Sequence, residues 1–334
     1  MLDVSALSGA SLKTVSRVVN GAQGVTPALA EKVRTAIAQL GYRHNQGASS
    51  LRSRGQRTSS IGVLLHDVAN PFSSAMYRAI EFAARDRGVV TLAGSLDGDP
   101  ERERHLVMEL VERRVDGVIL MPSSGDHSYL LDERRTGTQF VFVDRPPAFF
   151  DADSVLADNR VGAARATQHL VDVGHRRIAY LGDSVDIVTA RERLDGFTAA
   201  MSEARLVPDP QLVVTDVGDP DRASVAMERL LDLADPPSAV LTAQNLVTFG
   251  VLHTLRDRRL RHIIAHVGFD DLPLADLLEP GLTVIAQDPT RIGRTAADLL
   301  FARIDGDASP TRHVVSDVRL IVRGSGELPG PFAS

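Results

Sequence analysis

The stretch Ala10-Ser-Leu-Lys-Thr-Val-Ser-Arg-Val-Val-Asn20 predicts a short amphipathic helix that follows a tight turn. Ser11 can cap this helix, because its hydroxyl can accept a hydrogen bond from a backbone N–H of the first turn. Gly9 tolerates the left-handed conformation in which a preceding helix commonly ends. The valines of the stretch fall on one side and are expected to face inward: Val15, Val18 and Val19. We therefore expect a helix over 12–20, entered from a glycine turn.

Two further helices complete a small bundle around that stretch. Residues 2–8 place Val4 and Leu7 on one side of a first helix. Thr26-Pro27 predicts the start of a third, since a capping hydroxyl precedes a proline at the first helical position. The third helix is expected to stop at Gly41 and to carry one apolar stripe: Leu29, Val33, Ile37 and Leu40. Three short helices, two of them joined by a glycine turn, predict a helix-turn-helix unit over residues 1–44.

Charge separates the first 60 residues from the rest of the chain. They carry eight basic and two acidic side chains, a net charge of +6, whereas the remainder carries −12. A small cationic segment on a large anionic body favours a protein whose N-terminal unit alone approaches a polyanion.

The second helix of a helix-turn-helix places its N-terminal side chains in the major groove of DNA. Here Leu12, Lys13 and Arg17 are predicted to reach base edges, and an arginine can donate two hydrogen bonds to one guanine. The hydroxyls of Thr14 and Ser16 suit phosphate oxygens, which fix the register. A small helical bundle with a merely cationic surface is the alternative that these residues alone leave open.

The composition changes again after residue 44. Residues 45–60 are polar and basic and predict a linker. From Ile61 onward, short apolar runs alternate with amphipathic stretches, which predicts parallel sheets with helices on both faces. The roughly 270 residues of this part exceed one doubly wound domain, so we expect two lobes. No run of about 18 apolar residues predicts a membrane span, and the absence of cysteine fits a cytoplasmic protein.

The segment 10–21 resembles the helix-turn-helix signature of the LacI/GalR family of bacterial repressors. Asn45-Gln-Gly-Ala-Ser-Ser-Leu-Arg52 resembles the hinge helix of that family. The resemblance implies that this segment folds on operator DNA and that Leu51 is inserted between central base pairs, where an apolar wedge kinks the duplex. It also implies DNA contacts at Asn20 and Ala48.

The resemblance continues through the rest of the chain in family order, and nine short segments carry it: Ile61-Gly-Val-Leu-Leu with Asn70-Pro-Phe72, Asp99-Pro-Glu-Arg-Glu103, Arg114-Val-Asp-Gly-Val118, Val143-Asp-Arg-Pro146, Ala157-Asp-Asn159, Gly174-His-Arg-Arg-Ile178, Thr189-Ala-Arg-Glu-Arg193, Gly268-Phe-Asp-Asp271 and Gln287-Asp-Pro289. It implies an α/β fold like that of periplasmic sugar-binding proteins, with two doubly wound parallel sheets and an effector between them. The first lobe is expected over about 61–160 and 290–321, the second over about 161–289 and 322–334.

By position, the resemblance implies effector contacts at Phe72, Asp144, Arg193, Gln244 and Asp270. Carboxylates can accept bonds from vicinal hydroxyls, an arginine donates a planar fork, and an aromatic ring can cover a sugar face. A sugar or sugar derivative is therefore the expected effector. For any one of these residues alone, a solvated or ion-paired surface position is the alternative.

Three departures from the family pattern limit what can be carried over. The chain has Gln244-Asn245 where the family usually has Asn-Asp, and Ala286 where a basic residue is usual. Members of the family also carry several residues before the position of Leu2, including a hydroxyl cap. We therefore expect either an internal start or a first helix that is weakened by about 1 kcal/mol.

Two other classes of protein remain as alternatives, a solute-binding protein and a Rossmann-like enzyme without DNA function. No nucleotide-binding or hydrolase signature occurs, so no enzyme activity and no cofactor are expected. His262 and His266 flank an apparent strand and are not expected to bind a metal. The Gly/Pro-rich end, residues 324–334, predicts no coiled coil. We therefore expect a homodimer on double-stranded operator DNA, with first-lobe contacts around 72–87 and 101–113.

Overall fold

A computed structural model describes residues 1–19, 24–42, 57–123 and 125–333. The chain divides into two compact units, Met1–Thr58 and Ser59–Ser334. The described residues of the first unit form three helices: α1 (Leu2–Ser8), α2 (Leu12–Val19) and α3 (Pro27–Gln39). The predicted linker lies outside the described residues, apart from residues 57–60.

The turn between α1 and α2 has the predicted chemistry. Gly9 ends α1 with a φ of 66°, in the left-handed region that glycine adopts without strain. Ser11 Oγ accepts a hydrogen bond from the Thr14 backbone N–H at 3.2 Å. Val4 and Val15 are fully buried in the small core between the helices. The local signals and the packing therefore agree on where α2 begins.

The third helix differs from the prediction in two details. Pro27 occupies its first turn as expected, but among the described residues the Thr26 side chain makes no capping hydrogen bond. The buried face consists of Ala30, Val33 and Ala36, whereas Leu40 is 45% exposed. Leu40 leaves the predicted stripe because α3 ends at Gln39, so that the leucine lies beyond the last helical turn.

The second unit contains two six-stranded sheets, each with helices on both faces. The elements of the first lobe are β1 (Ser60–Leu65), α4 (Pro71–Arg85), β2 (Val90–Ser95), α5 (Pro100–Glu112), β3 (Gly117–Leu120), α6 (Leu130–Thr136), β4 (Gln139–Val143) and β5 (Asp153–Ala157), with α11 (Pro289–Ile304) and β11 (His313–Ser316) returning to it. The elements of the second lobe are α7 (Asn159–Asp172), β6 (Ile178–Leu181), α8 (Val188–Glu203), β7 (Val213–Val214), α9 (Pro220–Leu231), β8 (Ala239–Thr242), α10 (Asn245–Asp257), β9 (Ala265–Phe269), β10 (Thr283–Ala286) and β12 (Arg319–Ile321).

The two sheets repeat one topology. Their strand orders are β11-β5-β4-β3-β1-β2 and β12-β10-β9-β8-β6-β7. The first sheet is parallel throughout, and in the second β12 pairs antiparallel with β10. The sequence-based lobe boundary at 321/322 is therefore corrected, because β12 belongs to the second sheet. The last crossover lies between β11 and β12.

The side chains of β1 alternate between the two faces of the first sheet and pack against helices on both. Ile61, Val63 and Leu65 are buried in the core that contains side chains of α4 and α11. Leu64 points to the other face, into the core with residues of α5 and α6. A strand buried on both faces reads as a continuous apolar run, as the sequence does here. Within the described ranges, we find no helix with both the length and the apolar composition that a membrane crossing needs.

Candidate ligand cleft and nucleic-acid interface

A cleft of ≈ 610 Å³, including space open to solvent, lies between the two lobes of the second unit. Its walls are the loops that follow the carboxyl ends of the strands, where ligands bind in open α/β sheets. The structure places all five predicted effector residues around this cleft: Phe72, Asp144, Arg193, Gln244 and Asp270.

Arg193, in the second turn of α8, is buried and held from two sides. Its Nε donates to Asn159 Oδ1 at 2.8 Å and its Nη1 donates to the Ala243 carbonyl at 2.6 Å. The guanidinium carbon lies 3.9 Å from the centre of the Phe269 ring, a cation–π arrangement. These contacts fix the orientation of the planar donor before a ligand arrives, which reduces the entropy lost on binding.

Asp144 and Asp270 occupy equivalent places in the two lobes, directly after β4 and β9. Their φ angles are 65° and 74°, a region that aspartate visits more readily than most residues. Asp144 Oδ2 lies 3.4 Å from Arg145 Nε. Asp270 Oδ1 accepts a hydrogen bond from Gln287 Nε2 at 2.7 Å. These two residues thus present one carboxyl group from each lobe.

The environment of Asp270 makes its carboxyl group a weaker acid. Burial raises the pKa of its carboxyl group above the usual range, although the positive charge of Arg193 and the amide of Gln287 oppose that shift.

Gln244 lines the cleft, but both ends of its amide are bonded within the second lobe. Oε1 accepts from the Leu246 backbone N–H at 2.9 Å and caps α10, and Nε2 donates to the Gly218 carbonyl at 3.1 Å. The sequence pattern implied a ligand contact here. In the structure the side chain holds the end of β8 and the start of α10 in place.

Residues that sequence reasoning did not single out contribute further polar atoms to the cleft. Three buried atoms lack a hydrogen-bond partner among the described residues: Gln287 Oε1, Arg145 Nε and His66 Nδ1. Such atoms are costly unless a ligand or water pairs with them. Gln287 and Arg145 stood in two of the quoted segments and could have been found there. His66 gave no such signal; burial lowers its pKa, and Arg145 adds to the effect.

The second helix of the first unit presents the predicted DNA contacts at its surface. Leu12, Lys13 and Arg17 are exposed, while Thr14 and Ser16 are partly buried. The Thr14 hydroxyl lies 2.9 Å from Ser11 Oγ, which ties it to the start of α2. Three further predicted contacts lie outside the described residues: Asn20, Ala48 and Leu51.

The two histidines considered for a metal site are held apart. His266 lies in β9, fully buried, with Nε2 2.9 Å from Thr242 Oγ1. His262 lies in the turn before β9, which begins at Ala265, so the two histidines do not flank the strand as the sequence predicted. In the described ranges no three His, Asp or Glu side chains form a group that could hold a metal ion.

Comparisons with known proteins match both units. Residues 1–45 match the family model "Bacterial regulatory proteins, lacI family", and residues 167–326 match "Periplasmic binding protein-like domain". The ribose operon repressor of Escherichia coli (strain K12) is 33% identical over 97% of this chain and 99% of its own length.

Two solved structures also resemble this chain in their fold. The complex "transcriptional regulator CelR-cellobiose" is 32% identical, with a TM-score of 0.71, over 97% of this chain and 98% of that one. The Lac repressor dimer bound to operator and the anti-inducer ONPF is 26% identical, with a TM-score of 0.83 and the same coverage. The predicted fold class and the predicted family are confirmed: the chain belongs to the LacI family of bacterial regulatory proteins.

Proposed function

We propose that this protein is a transcription repressor that binds operator DNA through α2 and a small-molecule effector, a sugar, in the cleft between its lobes. The set of polar groups in the cleft is the observation that supports the proposal most strongly. It joins carboxyl groups from both lobes with a fixed guanidinium and with buried polar atoms that make no hydrogen bond among the described residues. The named relatives include a ribose operon repressor and a regulator in complex with cellobiose.

The charges in the cleft favour a neutral polyhydroxy ligand over a phosphorylated one. Three carboxyl groups line it, those of Asp144, Asp183 and Asp270, against the guanidinium groups of Arg145 and Arg193. A phosphate needs an excess of positive charge or a cluster of N–H donors, whereas hydroxyl groups pair with carboxyl, amide and guanidinium groups alike.

The exposed face of α2 supports the DNA-binding half of the proposal. Leu12, Lys13 and Arg17 project from the N-terminal part of the helix, which is the part that a helix-turn-helix inserts into the major groove. We propose that Lys13 and Leu12 help to select the operator sequence, and that Arg17 contacts guanine or phosphate. The +6 charge of the first 60 residues adds affinity that does not depend on sequence.

We also propose that the protein acts as a homodimer in the cytoplasm, in which the two helix-turn-helix units bind a pseudo-palindromic operator. The edge strand β2 of the first lobe exposes two apolar side chains, Val90 at 62% and Leu92 at 37%. Exposed apolar side chains on a sheet edge mark a surface that a protein partner can cover. This edge extends the predicted dimer surface on α4 and α5.

The effector acts through its different affinity for two arrangements of the lobes. A sugar held by Asp144 of one lobe and Asp270 of the other favours one angle between them. If that angle also fixes the spacing of the two helix-turn-helix units, the binding of effector and the binding of operator are coupled. Each ligand then changes the affinity of the protein for the other by the same factor.

The test is operator binding by the full-length protein, on a duplex selected from random DNA by the protein itself. Arg17→Ala is expected to weaken binding strongly, because it removes a groove contact and one of the cations that displace counterions. Arg135→Ala changes an exposed arginine of the second unit by the same chemistry and is the matched control. No binding by the intact protein at low salt, or equal losses in the two variants, would contradict the proposal.

A further inference from the structure

Two asparagine side chains meet across the cleft. Asn70 belongs to the loop between β1 and α4 in the first lobe, and Asn245 begins α10 in the second. Asn70 Nδ2 donates to Asn245 Oδ1 at 3.0 Å, and Asn245 Nδ2 donates back to Asn70 Oδ1 at 2.7 Å. Asn245 is only 2% exposed, so water hardly competes for these bonds. The Asn70–Asn245 pair therefore joins the lobes directly.

Each member of the pair also interacts with a residue of the proposed effector site. Asn70 Oδ1 accepts a second hydrogen bond from the Phe72 backbone N–H at 3.0 Å, which caps α4 and sets the turn that carries the Phe72 ring. The Asn245 backbone N–H faces the carboxyl group of Asp270 and opposes the rise in its pKa that burial causes. The aromatic and acidic walls of the cleft are therefore connected through two amide groups.

We propose that Asn70 and Asn245 are positioning residues that hold the cleft closed, with Phe72 and Asp270 set for the effector. The role in effector binding rests on the proposed function, but the closure does not. If closed lobes are the binding-competent state, the observed dissociation constant of the effector rises as the closed fraction falls. The pair would thus set how much effector the protein needs.

The chemistry of the pair dictates the variant. An amide both donates and accepts, whereas an ionised carboxylate can only accept. Asn245→Asp keeps the size of the side chain and the bond from Asn70 Nδ2, but it removes the donor to Asn70 Oδ1. When the N245D carboxyl group is protonated, its O–H can donate and restore the reciprocal pair. A purely structural defect would not be repaired in this way by acid.

Closure can be measured without any ligand. The chain has no cysteine, so Val68→Cys and Val185→Cys, in loops next to the cleft on opposite lobes, accept one spin label each with no background. Double electron–electron resonance then gives the distribution of distances between the lobes. We expect one short distance between the lobes for the labelled parent protein, recorded after labelled subunits are mixed with an excess of unlabelled ones so that distances between subunits do not contribute. For N245D we expect a longer distance at pH 7.5 that shortens again at pH 5, and for Asn245→Ala a longer distance at both pH values.

Gln211→Glu is the control, since it adds the same charge to an exposed position of the second lobe. Asn70→Asp is the second variant, because its carboxylate still caps α4 but cannot donate to Asn245. With D-ribose as the probe, calorimetry is expected to show about tenfold weaker binding for N245D at pH 7.5, the loss of one buried hydrogen bond. Unchanged distances in N245D, N245A and N70D would overturn the proposal. No ribose binding by the parent protein, with the distances changed as expected, would count against the sugar and leave the closure established.

Discussion

Replacing Arg193 by methionine removes the guanidinium group and keeps an unbranched apolar stem. In the structure that group supplies hydrogen bonds to Asn159 Oδ1 and the Ala243 carbonyl, and it lies over the Phe269 ring. All of these contacts are in the interior, since Arg193 is 6% exposed. Arg193→Met therefore leaves two buried acceptors without their donor.

The size of the effect follows from those contacts. Each unsatisfied buried acceptor costs about 1–3 kcal/mol, and the lost cation–π contact adds about 0.5–2 kcal/mol. Removal of a buried charge returns part of this, because the guanidinium no longer has to be desolvated. We expect the free energy of unfolding of the second unit to fall by about 3 kcal/mol, within the 5–15 kcal/mol typical of a domain, so the variant still folds.

Urea unfolding of the full-length protein, followed by circular dichroism, measures this change. Arg191→Met, on the same helix but exposed, is the matched control and is expected to change the free energy of unfolding by less than about 0.5 kcal/mol. The loss of Arg193 should also abolish the response to effector while operator binding persists. Equal stability of R193M and R191M would refute the role assigned to the buried contacts, and loss of operator binding in a folded R193M would refute the division of labour.

Three other outcomes follow from single contacts. Burial lowers the pKa of His266 to about 3, so between pH 7 and pH 5 the unfolded chain takes up a proton at this residue and the folded chain does not. This difference should lower the free energy of unfolding by about 2 kcal/mol at pH 5 relative to pH 7. Urea unfolding of His266→Gln should show a decrease that is smaller by this amount. Asp153→Ala removes the carboxylate that Arg303 binds at 2.8 Å through two nitrogens, while the guanidinium keeps its bonds to the carbonyls of Asp307, Ser309 and Pro310; it should lower the free energy of unfolding by about 1.5–3 kcal/mol, and a loss under about 0.5 kcal/mol by the same assay would contradict the role of this ion pair. Ser11→Ala should destabilise α2 by about 1 kcal/mol, seen as faster amide exchange there and not in α3.

Most of the fold could be predicted because the decisive signals are local. The continuous apolar run of β1 and the glycine turn before α2 each determine one element, and the family resemblance arranges the elements. The strand β12 was not predicted because it is three residues long and begins with an exposed arginine, Arg319, and the apolar run Leu320-Ile-Val322 is too short to indicate a strand by itself. The position of Leu40 was misjudged because helix ends depend on the last hydrogen-bonded turn, which periodicity does not report.

The residues that line the candidate site could be predicted from the sequence, but the hydrogen bonds among them could not. Asp144 and Asp270 follow strands, and the carboxyl ends of parallel strands meet at one edge, so their approach to the cleft is implied by topology. The other end of the Gln244 amide donates to the carbonyl of Gly218, which lies in a separate loop, and this bond cannot be read from the local sequence. The bond between Asn70 and Asn245 joins residues 175 positions apart, on different lobes, and no pattern along the chain encodes it.

One titration tests most directly whether effector binding in the cleft is coupled to operator binding by the helix-turn-helix units. Fluorescence anisotropy of the selected operator duplex, bound by full-length protein, is recorded as D-ribose and then cellobiose are added at fixed salt. We predict that one of these sugars changes the operator dissociation constant by 5-fold or more, the lower end of usual allosteric coupling, and that R193M shows no such change. Sugar binding by calorimetry with an unaltered operator dissociation constant would contradict the coupling on which the proposed function depends.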